Sequence, residues 1–167
     1  MDEETIAQIR RYSRNIQISG TVVIVYGIWS IIKFIAPIFF DGSNIAELMG
    51  IDEAEFEHYG WVAMAVILIV LSLIFWAHYA IGSGALKYAS GKKKSRGFFI
   101  GALVFFIITV ISMAQYFKMN NDDEEDVYLD ELLTSIMMDL TFLFVLFDLM
   151  RSTYKVNKLR KLEENEK

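Results

Sequence analysis

Hydrophobic and polar residues occur in long blocks along the chain. Four apolar runs cover residues 18–40, 61–82, 98–117 and 132–150. Each is close to the roughly 20 residues that an α-helix needs to cross the hydrocarbon core of a bilayer. Because backbone polar groups cannot be left unpaired in lipid, these runs predict four transmembrane helices. We therefore predict an all-α integral membrane protein, a single four-helix transmembrane bundle over residues 1–167.

The segments outside the apolar runs are short and predict no sizeable soluble domain. Residues 1–17 carry isoleucines near helical spacing, which indicates a short amphipathic helix that extends span one beside lipid headgroups, with binding of a partner helix as the alternative. Residues 83–97 form a basic inner loop, and residues 151–167 form a charged tail that continues the last helix. The first run is too long for a signal-peptide apolar region and has no cleavage-site pattern after it, so we expect it to be retained.

Lys and Arg lie almost entirely on one side of the four runs. Fourteen of the 16 precede the first run, lie between the second and third, or follow the fourth. Short loops rich in Lys and Arg stay in the cytoplasm, so both termini are predicted to be cytoplasmic. An even number of spans agrees with this arrangement, and the plasma membrane is the expected location.

Composition removes several classes of chemistry. The chain is 54% hydrophobic, with a mean hydropathy of +0.37, and it contains no Cys. Disulfides, thiol redox centres, iron–sulfur clusters and thiolate metal sites are therefore excluded. The sequence pI of about 5.1 reflects acidic outer loops, including the run "DDEED" at residues 122–126, and no nucleic-acid partner is expected.

Ionisable residues inside predicted spans are candidate functional residues, because a charge in lipid is expensive. Lys33 and Asp139 each lie seven residues from the predicted outer edge, about 10 Å deep at the rise of an α-helix. Matching depth and opposite charge predict an ion pair between spans one and four. Pro37 removes the N–H that would bond the Lys33 carbonyl and predicts a helix kink there. The alternatives are a Lys33 that extends to the headgroups beside a protonated or hydrogen-bonded Asp139, or an ion or proton pathway.

Two further ionisable residues, His78 and Asp148, lie near the predicted inner edge. His78 is interpreted as a packed, hydrogen-bonded residue at a helix contact. Asp148 is expected to pair with Arg151 on its own helix or with Arg14.

Span four carries a polar stripe on one side. Thr134, Thr141 and Asp148 are spaced by seven residues, whereas Asp139 and Ser135 lie on nearly the opposite face. A helix that is polar on two faces does not turn either face to lipid. Span four is therefore expected to be central in the bundle or to form a contact with another subunit.

The outer loops contain four metal-ligand candidates, Glu55, His58, Asp122 and Asp123. Glu55 and His58 have a Glu-x-x-His spacing, but this occurs once and in a predicted loop, whereas di-iron bundles use it twice on helices. The acidic run lacks the ligand spacing and central glycine of an EF-hand. If the outer loops bind a metal ion, we expect loose binding of Ca²⁺ or Mg²⁺. The alternative is that the acidic residues form a solvated cap. No cofactor is expected.

The sequence contains no nucleophile–base constellation, so an enzyme is not expected. We predict a small multi-pass membrane protein that acts as a non-enzymatic accessory, regulatory or interaction subunit. Its expected partners are the lipid bilayer and, through span four, another membrane protein or a second copy. The alternative is an oligomeric cation channel or transporter, whose acidic outer vestibule concentrates cations and whose path contains Asp139 and Asp148.

Overall fold

The computed structural model describes residues 3–40, 53–92, 97–119 and 129–165. This part of the chain contains four α-helices: α1 Glu3–Phe40, α2 Glu53–Ala89, α3 Gly97–Met119 and α4 Leu129–Asn165. All four are long and apolar enough to cross a membrane, with apolar windows of mean hydropathy 1.8 to 2.5. The prediction of an all-helical chain with four helices of this kind is confirmed. Membrane insertion and the sides of the termini stay predictions.

The helices extend beyond the apolar runs that predicted them. Residues 3–17 are the first turns of one continuous α1, and α4 continues through the tail to Asn165. Helix α2 begins at Glu53, so Glu55 and His58 lie on a helix and not in the expected loop. The stretch "EAEFEH" explains this difference, since Glu and Ala favour helix and acidic residues in a first turn stabilise the helix dipole.

Helix α2 ends at a left-handed glycine. Gly91 has a φ of +75°, a conformation that residues with a side chain rarely adopt. The Gly91 N–H donates to the carbonyl of Tyr88, at 3.1 Å, and the Ser90 N–H donates to that of Leu86, at 3.0 Å. These bonds satisfy carbonyls that a helix end leaves without partners, as is usual at a glycine C-cap.

The chain divides into two compact units. Unit 1 contains Met1–Val23 and Ala80–Lys167, and unit 2 contains Ile24–Tyr79. In unit 1, five buried residues of α4 are spaced by four and three in alternation, with Ser152 buried beside them: Phe142, Leu146, Leu149, Thr153 and Val156. This spacing keeps one face of a helix against its neighbours, as in a left-handed helical bundle.

Contacts within unit 1 join neighbouring helices in a closed ring. Four of them define it: Ser19 with Asp148 (α1 and α4), Gly20 with Ala85 (α1 and α2), Tyr88 with Phe98 (α2 and α3), and Phe105 with Phe142 (α3 and α4). The ring depends on small residues. A Cβ added to Gly20 would lie 3.0 Å from the Ala85 Cβ, so α1 and α2 approach almost backbone to backbone.

In unit 2, α1 and α2 approach each other closely at Gly27 and His78. A Cβ added to Gly27 would lie only 2.6 Å from the Cβ of His78. The His78 ring stacks beside Tyr26, with 6.0 Å between the ring centroids. Gly20, Gly27 and Gly101 thus allow close helix approach. Ala65 and Ser72, small residues of the second apolar run, are exposed on α2.

Candidate functional site

A buried hydrogen bond in unit 1 links the first and last helices. The Ser19 hydroxyl donates to Oδ2 of Asp148 at 2.9 Å. Ser19 is 5% exposed, and Asp148 is half-buried. A hydroxyl donating to a carboxylate is a charge-assisted bond, which is stronger than a bond between neutral groups. Asp148 therefore serves to hold α4 against α1.

Sequence reasoning did not single out Ser19, although a signal for it was present. Ser19 is the second residue of the first apolar run, and Asp148 is the third from the end of the fourth. The two residues therefore lie at similar predicted depth, the argument that was applied to Lys33 and Asp139. Arg151, an expected partner of Asp148, is exposed on α4.

His78 lies in unit 2 and is 4% exposed. Its Nδ1 lies 2.8 Å from the carbonyl oxygen of Ile74, one turn earlier on α2. Because a carbonyl only accepts, Nδ1 carries the proton of this bond. Together with the Gly27 contact, this bond places His78 as a packed residue at a helix contact.

Several hydroxyls in the spans bond to their own helix. Each donates to the carbonyl four residues earlier: Thr21 to Gln17, Ser30 to Tyr26, Thr109 to Phe105, Thr141 to Met137, and Thr153 to Leu149, at 2.7 to 3.0 Å. Hydroxyls used in this way are satisfied without a partner helix or a water path. Thr141 of the predicted polar stripe is among them, and its side chain is exposed.

The predicted ion pair involves residues in different units. Lys33 is exposed on the part of α1 in unit 2, and Asp139 is half-buried on α4 in unit 1. Both side chains take part in interactions. Their pairing with each other stays a prediction from the sequence. Helix α1 continues past Pro37 to Phe40, and the predicted kink stays untested, with the Pro37 side chain outside the described residues.

The metal-ligand candidates fall mostly outside the described residues. Asp122, Asp123 and the side chain of Glu55 lie there. His58 is exposed on α2, with its ring edge-on to Tyr59 at 4.8 Å between centroids. Among described residues, no group of three or more His, Asp or Glu side chains is placed to hold a metal ion.

Helix α4 has a second apolar face besides the one buried in unit 1. Its large exposed residues are Leu133, Met137, Leu140, Phe144, Phe147 and Tyr154, each more than half exposed. We call this set the outer seam of α4. Its spacing of four and three in alternation, broken only by Arg151, matches the pattern of a helix that packs along a neighbouring helix. The predicted polar stripe of Thr134, Thr141 and Asp148 lies beside this seam, about a quarter turn away.

The fold and these residues define an all-helical protein whose four described helices are long and apolar enough to span a membrane. No protein-family model, curated protein or solved structure matches the chain.

Proposed function

We propose that the protein is a small multi-pass plasma-membrane protein that acts without catalysis, as an interaction or accessory subunit. Its partner is a transmembrane helix that packs along the outer seam of α4. The observation that carries the proposal is the seam itself, which repeats large apolar side chains at the helix-packing interval over six turns. Exposed apolar residues repeat at the same interval on α2 and α3, and the α4 seam differs in carrying two exposed threonines, Thr134 and Thr141, seven residues apart beside it. Small polar residues of this kind are favoured where helices pack in a membrane.

The hydrogen bonds of polar side chains in the helices support an interaction subunit over a cation channel. The hydroxyls of Thr109 and Thr141 bond to their own helices, and the Asp148 carboxylate accepts a bond from Ser19. Groups engaged in this way stabilise helices and helix contacts, whereas a cation path needs oxygens that face a passing ion. The proposed orientation, with both termini in the cytoplasm, rests on the distribution of Lys and Arg.

Site-directed cross-linking tests the proposal, because the chain has no Cys and every introduced thiol is unique. A Phe144→Cys variant carries a benzophenone maleimide in the outer seam, and an Ile108→Cys variant carries it on α3. Phe144 is 72% exposed and Ile108 is 56% exposed, so both accept the label. Illumination in native membranes should give a discrete protein adduct from position 144 and none from position 108. An adduct at twice the 19.2 kDa of one chain identifies a second copy as the partner.

Two results would count against the proposal. The first is an adduct with lipid alone at position 144, in membranes from cells that express the chain at its native level. This result would show that the seam faces only the bilayer. Cation flux into liposomes containing the purified chain, abolished by Asp139→Asn, would favour the channel instead.

A further inference from the structure

A cleft with three guanidinium groups lies in unit 1, beyond the apolar runs. It is shallow and largely open to its surroundings, with a volume of about 530 Å³. The residues that line it are Ile9, Arg10, Ser13, Arg14, Gln17, Ala89, Ser90, Gly91 and Arg160. Among these described lining residues, three carry a guanidinium and none carries a carboxylate. We refer to this feature as the arginine cleft.

Helix α1 supplies one wall of the arginine cleft because its polar residues repeat at helical spacing. Arg10, Ser13, Arg14 and Gln17 stand at positions i, i+3, i+4 and i+7, which places them on one face. Arg10 and Arg14 are exposed, and Ser13 is half-buried. Two positive charges one turn apart repel each other, so a bound anion relieves a conflict that the helix itself creates.

Arg160 is the third cationic group, and the core of unit 1 holds it in place. Its guanidinium carbon lies 5.1 Å from the centroid of the Tyr88 ring. Tyr88 is only 2% exposed and packs against Phe98, with 5.5 Å between ring centroids. A guanidinium stacked on a fixed ring loses less freedom when it binds a ligand than a free side chain would.

The end of α2 forms the remaining wall of the arginine cleft, and its backbone carbonyls repel a bound anion only weakly. A helix C-terminus carries a partial negative charge that would repel an anion. Here the carbonyls of Leu86, Lys87 and Tyr88 accept bonds from the Ser90 N–H, the Ser90 hydroxyl and the Gly91 N–H, respectively. The ends of these dipoles are thereby partly neutralised, and three full positive charges outweigh what remains.

We propose that the arginine cleft binds a phosphate group. Guanidinium groups present several donors in a planar fork that matches phosphate oxygens, and three arginine residues from α1 and α4 line this one cleft. Arg10 and Arg14 precede the first apolar run, Gly91 follows the second, and Arg160 follows the fourth, so the cleft lies beyond the predicted spans, on the side where headgroup phosphates and soluble phosphate compounds are both available. The phosphate of an anionic lipid and a soluble phosphate compound share the chemistry that the cleft recognises.

Binding is measured on the full chain in uncharged detergent, as the rise in unfolding temperature on adding phosphatidylglycerol, phosphatidylcholine or inorganic phosphate. Ligands that bind only the folded chain raise this temperature. We expect phosphatidylglycerol to raise it and phosphatidylcholine to have little effect. Phosphatidylglycerol active alone identifies a lipid headgroup as the ligand. An equal response to inorganic phosphate identifies the phosphate group itself. No response to either overturns the proposal.

Matched variants separate a defined site from general attraction between opposite charges. The Arg14→Gln variant and the Arg160→Lys variant should each weaken binding about tenfold or more, because each loses charge-assisted hydrogen bonds. Arg160→Lys retains the charge and loses the planar fork. Arg11→Gln removes the same charge from an exposed neighbour that does not line the cleft, and should change affinity less than about twofold. Equal losses in the Arg11 and cleft variants would show diffuse attraction and refute the site.

Discussion

At the scale of single residues, Gly27 sets the distance between α1 and α2 in unit 2. A methyl group at this position would lie 2.6 Å from the His78 Cβ, which belongs to the stem of the side chain and cannot rotate away. We expect Gly27→Ala to destabilise the folded state by about 1–3 kcal/mol, as overpacked contacts do. Unfolding of the purified chain by SDS measures the change.

Gly60→Ala is the control for this substitution. It makes the same chemical change on α2, but the new methyl group meets the ring of Phe56, a side chain on the same helix that can move, at 3.1 Å. Ala favours helix over Gly by about 0.5–1 kcal/mol, so this variant should be neutral or slightly stabilised. Similar losses from both variants would mean that the contact with His78 does not limit stability.

The bond between Ser19 and Asp148 is also testable at the residue scale. Ser19→Ala and Asp148→Ala should show a coupling free energy of about 0.6 kcal/mol, and no more than about 1.7 kcal/mol, in a double-mutant cycle, the average and maximum measured for hydrogen bonds between transmembrane helices. Thr21→Ala provides the comparison, since its hydroxyl bonds to Gln17 on its own helix. If the coupling of Ser19→Ala with Asp148→Ala is no larger than that of Thr21→Ala with Asp148→Ala, the bond adds nothing to the packing of α1 on α4.

At the scale of the elements, α4 carries two apolar faces with different roles. Leu146 is fully buried in unit 1, whereas Phe144 is 72% exposed in the outer seam. We expect Leu146→Ala to lower stability by about 1–3 kcal/mol. This is less than in a water-soluble core, because a leucine released into lipid remains in an apolar medium.

Phe144→Ala is the counterpart on the outer seam. It should leave SDS unfolding of the purified chain within about 0.5 kcal/mol of the parent, as surface substitutions usually do. It should also weaken the complex that the chain forms in native membranes, measured by its mass in mild detergent. A large loss of fold stability from Phe144→Ala, with no change in complex mass, would assign both faces of α4 to folding.

The elements also show which parts of the fold the sequence could predict. Run length and the exclusion of polar groups from lipid were sufficient to predict four helices. Their ends were harder to predict, because Glu53–Tyr59 and residues 83–89 are polar or small enough to resemble loops, although helix propensity and the Gly91 cap extend α2 over both. The Ser19 contact was missed because a lone serine in an apolar run carries no charge to mark it.

The two faces of α4 were missed for a different reason. A sequence pattern shows that residues share a face but not which face is buried. The pattern that stands out in the sequence of α4 is the polar stripe at Thr134, Thr141 and Asp148. The residues that pack against the other helices of unit 1 are the apolar ones at 142, 146 and 149. The arginine cleft likewise combines α1, the end of α2 and α4, which no local pattern brings together.

At the scale of the whole molecule, the distribution of charge makes a prediction about the membrane. Fourteen of the 16 Lys and Arg residues belong to residues 1–17, 83–97 and 151–167, outside the four apolar runs. If both termini are cytoplasmic, Asn44→Cys and Asn121→Cys should react with a membrane-impermeant maleimide in intact cells. Ser95→Cys and Asn157→Cys should react only after permeabilisation. Because the chain has no Cys of its own, each reaction reports one position.

The same labelling experiment decides where the arginine cleft can act. Asn157 is one turn from Arg160, so its accessibility gives the side of the membrane on which that guanidinium lies. Protection of Asn157→Cys in intact cells places the cleft at the cytoplasmic leaflet, where anionic lipids are concentrated and attract basic groups by about 1 kcal/mol each. Labelling of Asn157→Cys from outside would show that both termini lie outside the cell, opposite to the predicted topology. The cleft would then face a leaflet poorer in anionic lipid, and a soluble phosphate compound would become the ligand to test.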